Sequence, residues 1–193
     1  MLIGITGSFG SGKTTVAKMF AKFGAYTIDA DKVYHSLIRP GKICYKKIIR
    51  NFGKEILKKS GCIDREKLSG IVFRQKSKLM LLNRLTHPEV IKEIRKIVKS
   101  EKRKVIIIEA PLLIESGFYK GLDRVILVVN KKNQQVKRAS EAKGLNRKDV
   151  SRRIRMQMPL KKKLAFADFI IDNSGSKKDT LSRARKVWEQ IGE

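Results

Sequence analysis

A glycine-rich octet near the start of the chain restricts the possible folds most strongly. Residues 7–14 read Gly-Ser-Phe-Gly-Ser-Gly-Lys-Thr and match the P-loop pattern G-x-x-x-x-G-K-[ST] at every fixed position. An apolar stretch over 2–6 predicts a buried strand before the octet, and apolar residues at helical spacing over 14–23 predict a helix after it. A glycine-rich turn that binds nothing is the alternative, and these flanking segments disfavour it.

The octet predicts a site for a nucleoside triphosphate. Glycine allows the backbone N–H groups to point inward, and the N-terminus of the next helix adds a positive partial charge. In this pattern Lys13 reaches the β- and γ-phosphates, and the Thr14 hydroxyl is offered to Mg²⁺. The loop alone does not identify the phosphate acceptor.

Length and composition favour one α/β domain with insertions. The chain has 193 residues, of which 41% are hydrophobic. No apolar run approaches the roughly 20 residues of a membrane span. The first residues lead directly into a predicted strand, so we expect no signal peptide. Cys44 and Cys62 lack metal-ligand spacing, so we expect ordinary thiols in a reducing, cytoplasmic compartment.

The chain is strongly basic. It has 45 Lys and Arg residues against 18 Asp and Glu, a formal net charge of +27. Such a charge attracts polyanions, including nucleotides, coenzymes, nucleic acid and acidic membranes. A lysine-rich proteome would give the same value, so we expect only non-specific nucleic-acid binding and no membrane partner.

The remaining pattern predicts a doubly wound parallel sheet, an α/β fold with five strands. Further strands are expected at 25–28, 105–108, 125–129 and 169–171. Residues 32–100 predict several short helices, with breaks at Pro40-Gly41, Ser60-Gly61 and His87-Pro88. Asp64 is expected to be an N-cap, as is His87, with Pro88 at a first helical position. Ligands of such sheets bind at the carboxyl ends of the strands.

Acidic residues follow two of these strands. If the chain stays extended after the second strand, Asp29 and Asp31 point to one side, where one accepts a proton and the other orients water on Mg²⁺. A solvated turn or helix cap is the alternative. Glu109 ends the third strand as a Walker-B-like ligand of Mg²⁺ or its waters, or else as a simple cap of the sheet edge. For Glu115 we expect a structural role at a helix start.

A basic helical stretch over 131–158 predicts a lid. Its arginines could neutralise the charge on a transferring phosphoryl group. A solvated helix face is the alternative for most of them.

Short motifs spread along the chain match one known family. They are Gly4-Ile5-Thr6-Gly7, Ile28-Asp29-Ala30-Asp31, Asp64-Arg65 with Leu68, His87-Pro88, Pro111-Leu112-Leu113-Ile114-Glu115, Gln157-Met158-Pro159, and Ala167-Asp168-Phe169-Ile170-Ile171-Asp172-Asn173. In this order and spacing the chain resembles the dephospho-coenzyme A kinases over essentially its whole length. Many NTPases share the P-loop, whereas the other motifs are far more specific.

The resemblance implies a fold like that of nucleoside monophosphate kinases. It implies a P-loop core over 1–31, 101–130 and 159–193, a helical substrate-binding insertion over 32–100 and a lid over 131–158. The family transfers the γ-phosphoryl group of ATP to the ribose 3′-hydroxyl of dephospho-coenzyme A, with Mg²⁺ as the implied metal. A monomer or weak oligomer is expected.

The resemblance also implies roles for individual residues. The implied catalytic residues are Asp31 (the general base), Lys13 and Arg138, with Arg153 at a second basic lid position. The implied ATP-binding residues are Gly10, Ser11, Gly12, Lys13, Thr14 and Thr15. The implied substrate-binding residues are Thr6, Asp29, Arg65 and His87, and the implied metal ligands are Thr14 and Glu109.

Three positions depart from the family pattern. Ser8 replaces a usual glycine, and Glu109 replaces a frequent aspartate. Ala142 stands where many members have arginine, a role that Lys143 or Arg147 could take over. The alternatives are a kinase of a nucleoside monophosphate or other small metabolite, a nucleic-acid-binding P-loop protein, and an inactive paralogue.

Overall fold

The chain divides by its internal contacts into two compact units. The computed structural model describes residues 1–144 and 146–192, apart from the side chains of Lys132, Ala142 and Lys143. One unit comprises Met1–Asp29 and Glu101–Glu193, and the other is Ala30–Ser100. The α-helices, in chain order, are α1 (Lys13–Lys22), α2 (Ala30–Leu37), α3 (Ile43–Phe52), α4 (Arg65–Val72), α5 (Lys76–Ser100), α6 (Lys132–Lys143), α7 (Arg147–Arg155), α8 (Leu160–Leu164) and α9 (Lys177–Gly192).

The first unit is built on a five-stranded parallel sheet, which confirms the predicted fold class. Its strands are β1 (Leu2–Thr6), β2 (Tyr26–Asp29), β3 (Ile106–Glu109), β4 (Arg124–Val129) and β5 (Phe169–Asp172). They lie in the order β2-β3-β1-β4-β5. The inner strands are almost entirely apolar because strands buried on both faces need no polar side. No predicted strand end differs from the observed one by more than one residue.

Helices α1 and α9 pack together with the sheet around one apolar core. Phe20 is fully buried there, and its ring lies 6.0 Å from that of Trp188. On α9, Leu181 is exposed, whereas its neighbour Thr180 is buried. Thr180 can be buried because its hydroxyl group keeps hydrogen-bond partners: it lies 3.0 Å from Asn173 Oδ1 and 3.1 Å from the Ser176 carbonyl oxygen.

The second unit, Ala30–Ser100, is helical as predicted and has its own core. That core contains, among others, Ile48, Phe52, Ile56, Leu68, Val72 and Leu82. Asp64 is an N-cap, as predicted, because its carboxylate accepts hydrogen bonds from the backbone N–H groups of Glu66 and Lys67. These hydrogen bonds lower the pKa of the Asp64 carboxyl, and the bond from the Lys67 N–H has the largest effect. The breaks predicted at Pro40-Gly41 and Ser60-Gly61 are present.

The break predicted at His87-Pro88 is wrong. Both residues lie inside α5, so His87 is not an N-cap and Pro88 is not a first helical residue. An internal proline costs a helix about 3 kcal/mol or more. Here a stripe of buried side chains at intervals of four passes straight through it: Leu82, Thr86, Val90 and Ile94. Burial at about 1.5–3 kcal/mol for each large apolar side chain offsets the proline and favours one continuous helix.

The basic stretch over 131–158 forms two helices, α6 and α7. Gly144 ends α6 with a φ of 61°, and the Asn146 side chain caps α7 by accepting from the Asp149 N–H at 2.8 Å. Helix α8, directly after Pro159, was not predicted. Over the described parts of the chain, no helix combines the length and the apolar character that a membrane crossing requires.

Candidate active site

The P-loop follows β1 and leads into α1. Gly10 and Gly12 have φ angles of 79° and 89°, a region that L side chains rarely adopt. A Cβ atom on Gly12 would also collide with the side-chain amide of Asn173. Among the described residues only glycines have a positive φ, so Ser8 keeps an ordinary backbone and the loop tolerates it in place of glycine.

The Lys13 side chain curls back over this loop. Its ammonium group donates to the carbonyl oxygens of Gly7 and Ser8, each at 3.1 Å, and the residue is buried. The backbone N–H of Ser11 in turn donates to Ser8 O at 3.1 Å. The predicted phosphate-binding lysine is therefore held within the curve of the loop.

Thr14 and Glu109, the two predicted metal ligands, are in direct contact. The Thr14 hydroxyl donates to Glu109 Oε1 at 2.6 Å. The parallel register pairs Glu109 with Asp29 of β2 and with Ile5 of β1, so the two carboxylate residues end neighbouring strands. Among the described residues there is no group of three or more His, Cys, Asp or Glu suited to a metal ion. A hydroxyl and one carboxylate fit Mg²⁺, which takes its remaining ligands from phosphates and water.

The extended segment that was the condition for placing Asp29 and Asp31 on one side is absent. Asp29 is the last residue of β2, whereas Asp31 lies in the first turn of α2. The alternation of side chains along a strand therefore does not extend from Asp29 to Asp31, and their spacing no longer predicts a shared side. Alanine favours helix and an aspartate complements the positive N-terminal end of a helix, which explains the early start of α2 at Ala30.

In the helical unit, Tyr34 lies close enough to Asp31 and Arg65 to sense both charges. The pKa of Tyr34 is raised to about 12, chiefly by burial, then by Cys44 and by the Asp31 carboxylate, while the Arg65 guanidinium opposes the rise. Arg65, the first residue of α4, places Nη1 3.3 Å from Nδ1 and 3.2 Å from Nε2 of His35. The contact with His35, to which the sequence assigned no role, was missed. His87 is half-buried on α5.

Asn173 connects three elements around the P-loop, and sequence reasoning did not assign it a role. Its side-chain amide donates to Ser11 O at 2.9 Å, and its backbone carbonyl accepts from Arg138 Nη1 of α6 at 3.0 Å. The Thr180 hydroxyl at Asn173 Oδ1 fixes which way the amide faces. The available signal was a polar turn directly after a strand, at the carboxyl edge of the sheet. Arg138 is thus attached to the residue that braces the loop.

Replacing Asn173 by leucine should weaken ATP binding. Leucine has a similar size but no donor, so Ser11 O loses its partner, and a buried unsatisfied group costs about 1–3 kcal/mol. If the loop bears this cost, KM for ATP rises by roughly 5- to 100-fold. Steady-state kinetics measure it, with the exposed Asn51→Leu as control. An unchanged KM for ATP would remove the bracing role.

The helical stretch over 131–158 contacts the tip of the P-loop. Arg153 of α7 lies 5.5 Å from the centre of the Phe9 ring, and burial lowers its pKa from the usual range of arginine. The side-chain oxygen of Gln157 accepts the Phe9 N–H at 2.8 Å. Arg147 begins α7 and is exposed, while the side chains of Ala142 and Lys143 lie outside the described residues. That Lys143 or Arg147 takes over the role of the arginine found at position 142 in many family members therefore stays a prediction.

Glu115 has a structural role, but not at a helix start. It pairs with the fully buried Lys163 of α8 at 2.9 Å and accepts the Met158 N–H at 3.0 Å. Lys163 also donates to the Pro111 carbonyl at 2.9 Å. Thr6, fully buried at the end of β1, lies 3.5 Å from that carbonyl through its hydroxyl oxygen. Sequence reasoning missed Lys163 because nothing distinguished it from its lysine neighbours.

The fold and this site define a P-loop kinase. A family model described as dephospho-CoA kinase matches residues 1–179, and the chain belongs to that family. A dephospho-CoA kinase of Aquifex aeolicus is 44% identical over 190 residues, covering 98% of this chain and 96% of the relative.

Solved structures agree with this assignment. A dephospho-CoA kinase from Campylobacter jejuni has 32% identity and a TM-score of 0.68, with coverage of 98% of this chain and 96% of that one. A shikimate kinase from Acinetobacter baumannii, at 16% identity and a TM-score of 0.56, shares the fold over 98% of this chain and 92% of its own.

Proposed function

We propose that this protein transfers the γ-phosphoryl group of ATP to the ribose 3′-hydroxyl of dephospho-coenzyme A, the last step of coenzyme A synthesis. The observation that carries the proposal is the contact between Thr14 of the P-loop and Glu109, in a chain that belongs to the dephospho-CoA kinase family. That pair and the loop form a site for a triphosphate and its divalent metal. The family to which the chain belongs indicates that the phosphate acceptor is dephospho-coenzyme A.

On the nucleotide side, residues 10–15 are proposed to bind the phosphates of ATP through backbone N–H groups. Lys13 and Arg138 neutralise the negative charge that spreads over the transferring group, which is how phosphoryl transfer is catalysed. Thr14 and Glu109 would hold Mg²⁺, the metal we propose here. Mg²⁺ supplies charge neutralisation and orientation of the phosphates.

On the acceptor side, Asp31 is proposed as the general base. Its carboxylate takes the proton of the 3′-hydroxyl as the hydroxyl oxygen bonds to the γ-phosphorus and the bond to the ADP oxygen breaks. Arg65 and His87 are proposed to bind the acidic substrate. Asp29 and Thr6, at the carboxyl ends of β2 and β1, are proposed to lie beside the reacting groups.

The wider organisation follows the family. We propose a core over 1–31, 101–130 and 159–193, a substrate-binding insertion over 32–100 and a lid over 131–158. A monomer or weak oligomer with ATP and dephospho-coenzyme A as its partners fits this organisation. The net charge of +27 is proposed to give only non-specific nucleic-acid binding. The unpaired thiols of Cys44 and Cys62 favour a reducing, cytoplasmic location.

Product analysis tests the function directly. With ATP, Mg²⁺ and dephospho-coenzyme A, we expect stoichiometric ADP release and a new phosphate on the ribose 3′-oxygen, located by ³¹P NMR. AMP, CMP and dTMP serve as competing acceptors in parallel reactions. Turnover with a monophosphate alone would reject the proposal, and ATP hydrolysis that depends on RNA or DNA would favour the nucleic-acid alternative.

A further inference from the structure

Lys163 is a fully buried charge that the proposed chemistry does not use. Its side chain has no exposed surface, and that of Glu115 is only 18% exposed. The Lys163 ammonium lies 2.9 Å from Glu115 Oε1, 3.2 Å from Oε2 and 2.9 Å from the Pro111 carbonyl. Burying an ion pair removes both charges from water, so the pair is weak evidence for stability, and apolar residues often serve as well. Stability alone therefore does not explain why an ion pair is buried at this position.

The pair lies at one end of a chain of contacts that leads to the P-loop. Glu115 Oε1 accepts the backbone N–H of Met158, which fixes the segment where the chain leaves the lid. The preceding residue, Gln157, accepts the Phe9 N–H at 2.8 Å through its side-chain oxygen. Since a peptide segment held at one residue restricts its neighbour, the ion pair restricts where the Gln157 side chain can reach.

We propose that Glu115 and Lys163 are positioning residues for ATP: they anchor the exit of the lid so that Gln157 holds the P-loop in its phosphate-binding shape. The inference rests on the proposed ATP-dependent function and extends it to three residues outside the loop. Gln157 contacts the loop, and the ion pair acts through Gln157.

The test compares Gln157→Met, the double variant Glu115→Leu/Lys163→Met and the triple variant. The double variant removes both charges at once, so neither is left buried without its partner. Loss of the hydrogen bond between Gln157 and the Phe9 N–H is expected to raise KM for ATP about 10-fold in each. KM for dephospho-coenzyme A should stay within about twofold of that of the unsubstituted enzyme, because weaker binding of ATP leaves the binding of the acceptor unchanged. Lys162→Met, an exposed neighbour on α8, is the matched control.

The triple variant decides whether the residues act as one unit. If the ion pair works through Gln157, adding Gln157→Met to the double variant produces no further rise in KM for ATP. Multiplicative effects, or a folded double variant with an unchanged KM for ATP, would overturn the proposal. A purely structural pair would change the melting temperature alone. Calorimetric binding of a non-hydrolysable ATP analogue gives the same readout without an acceptor, so failure here is distinguishable from failure of the proposed function.

Discussion

Asp31→Asn is expected to lower kcat by about 10²-fold or more, the usual scale for losing a general base. An amide has nearly the size and shape of a carboxylate, but it cannot take the proton of the acceptor hydroxyl. Affinity for ATP should be preserved, because Asp31 is proposed to act on the acceptor hydroxyl and not to bind the triphosphate. Single-turnover kinetics with saturating ATP measure the rate, and titration with a non-hydrolysable analogue measures the affinity.

Asp29→Asn is the matched control for this prediction. Asp29 ends β2, two positions earlier in the chain, and pairs in register with Glu109. If it orients groups near the metal ligands, its loss should affect the dependence of the rate on metal concentration more than the proton transfer. An Asp31→Asn enzyme with undiminished turnover would remove Asp31 from the base role. A larger loss in Asp29→Asn would transfer that role to Asp29.

The features predicted well from the sequence depend on neighbouring residues. The inner strands are mainly apolar runs, so their limits are encoded locally, as in β3, where three isoleucines end at Glu109. The P-loop is equally local, because its pattern and its flanking elements lie within residues 2–23. Even the contact of Thr14 with Glu109 follows once the sheet is known, since both stand at the carboxyl edge.

The features missed depend on distant residues or on competition between local and tertiary terms. Asn173 braces Ser11 from 162 positions away, and Lys163 pairs with Glu115 from 48 positions away. No spacing rule marks either contact. Pro88 is a different case. Proline favours the first turn of a helix, but burial of the side chains along α5 stabilises one continuous helix by more than the internal proline costs.

The helix start at Ala30 is another feature that the sequence alone did not determine. An extended continuation of β2 and an early helix were both compatible with the residues after Asp29. The first turn of α2 has Asp31 at a helix N-terminus, which favours a carboxylate there. The pattern thus predicted a strand that ends in acidic residues, but not that a helix begins directly after Asp29.

Lys13→Ala should reduce both ATP affinity and rate. Lys13 is the only residue of the octet with a full charge, and it is expected to contact the β- and γ-phosphates in the ground state and during transfer. Removal of one group that stabilises developing negative charge costs about 10²–10³-fold in kcat. Because the ground-state contact is lost as well, KM for ATP should rise at least 10-fold, so kcat/KM for ATP falls by about 10³–10⁴-fold.

Lys18→Ala is the control for this variant, since Lys18 is an exposed lysine on the same helix and its loss changes the net charge equally. A similar loss of activity in both variants would assign the effect to the overall field of a basic protein. In the present structure the Lys13 ammonium binds the carbonyl groups of Gly7 and Ser8, so alanine also removes two contacts that shape the loop. Lys13→Arg separates the two causes. Arginine keeps the charge, so a rate near that of Lys13→Ala would show that the compact ammonium and its loop contacts, more than charge alone, are what catalysis requires.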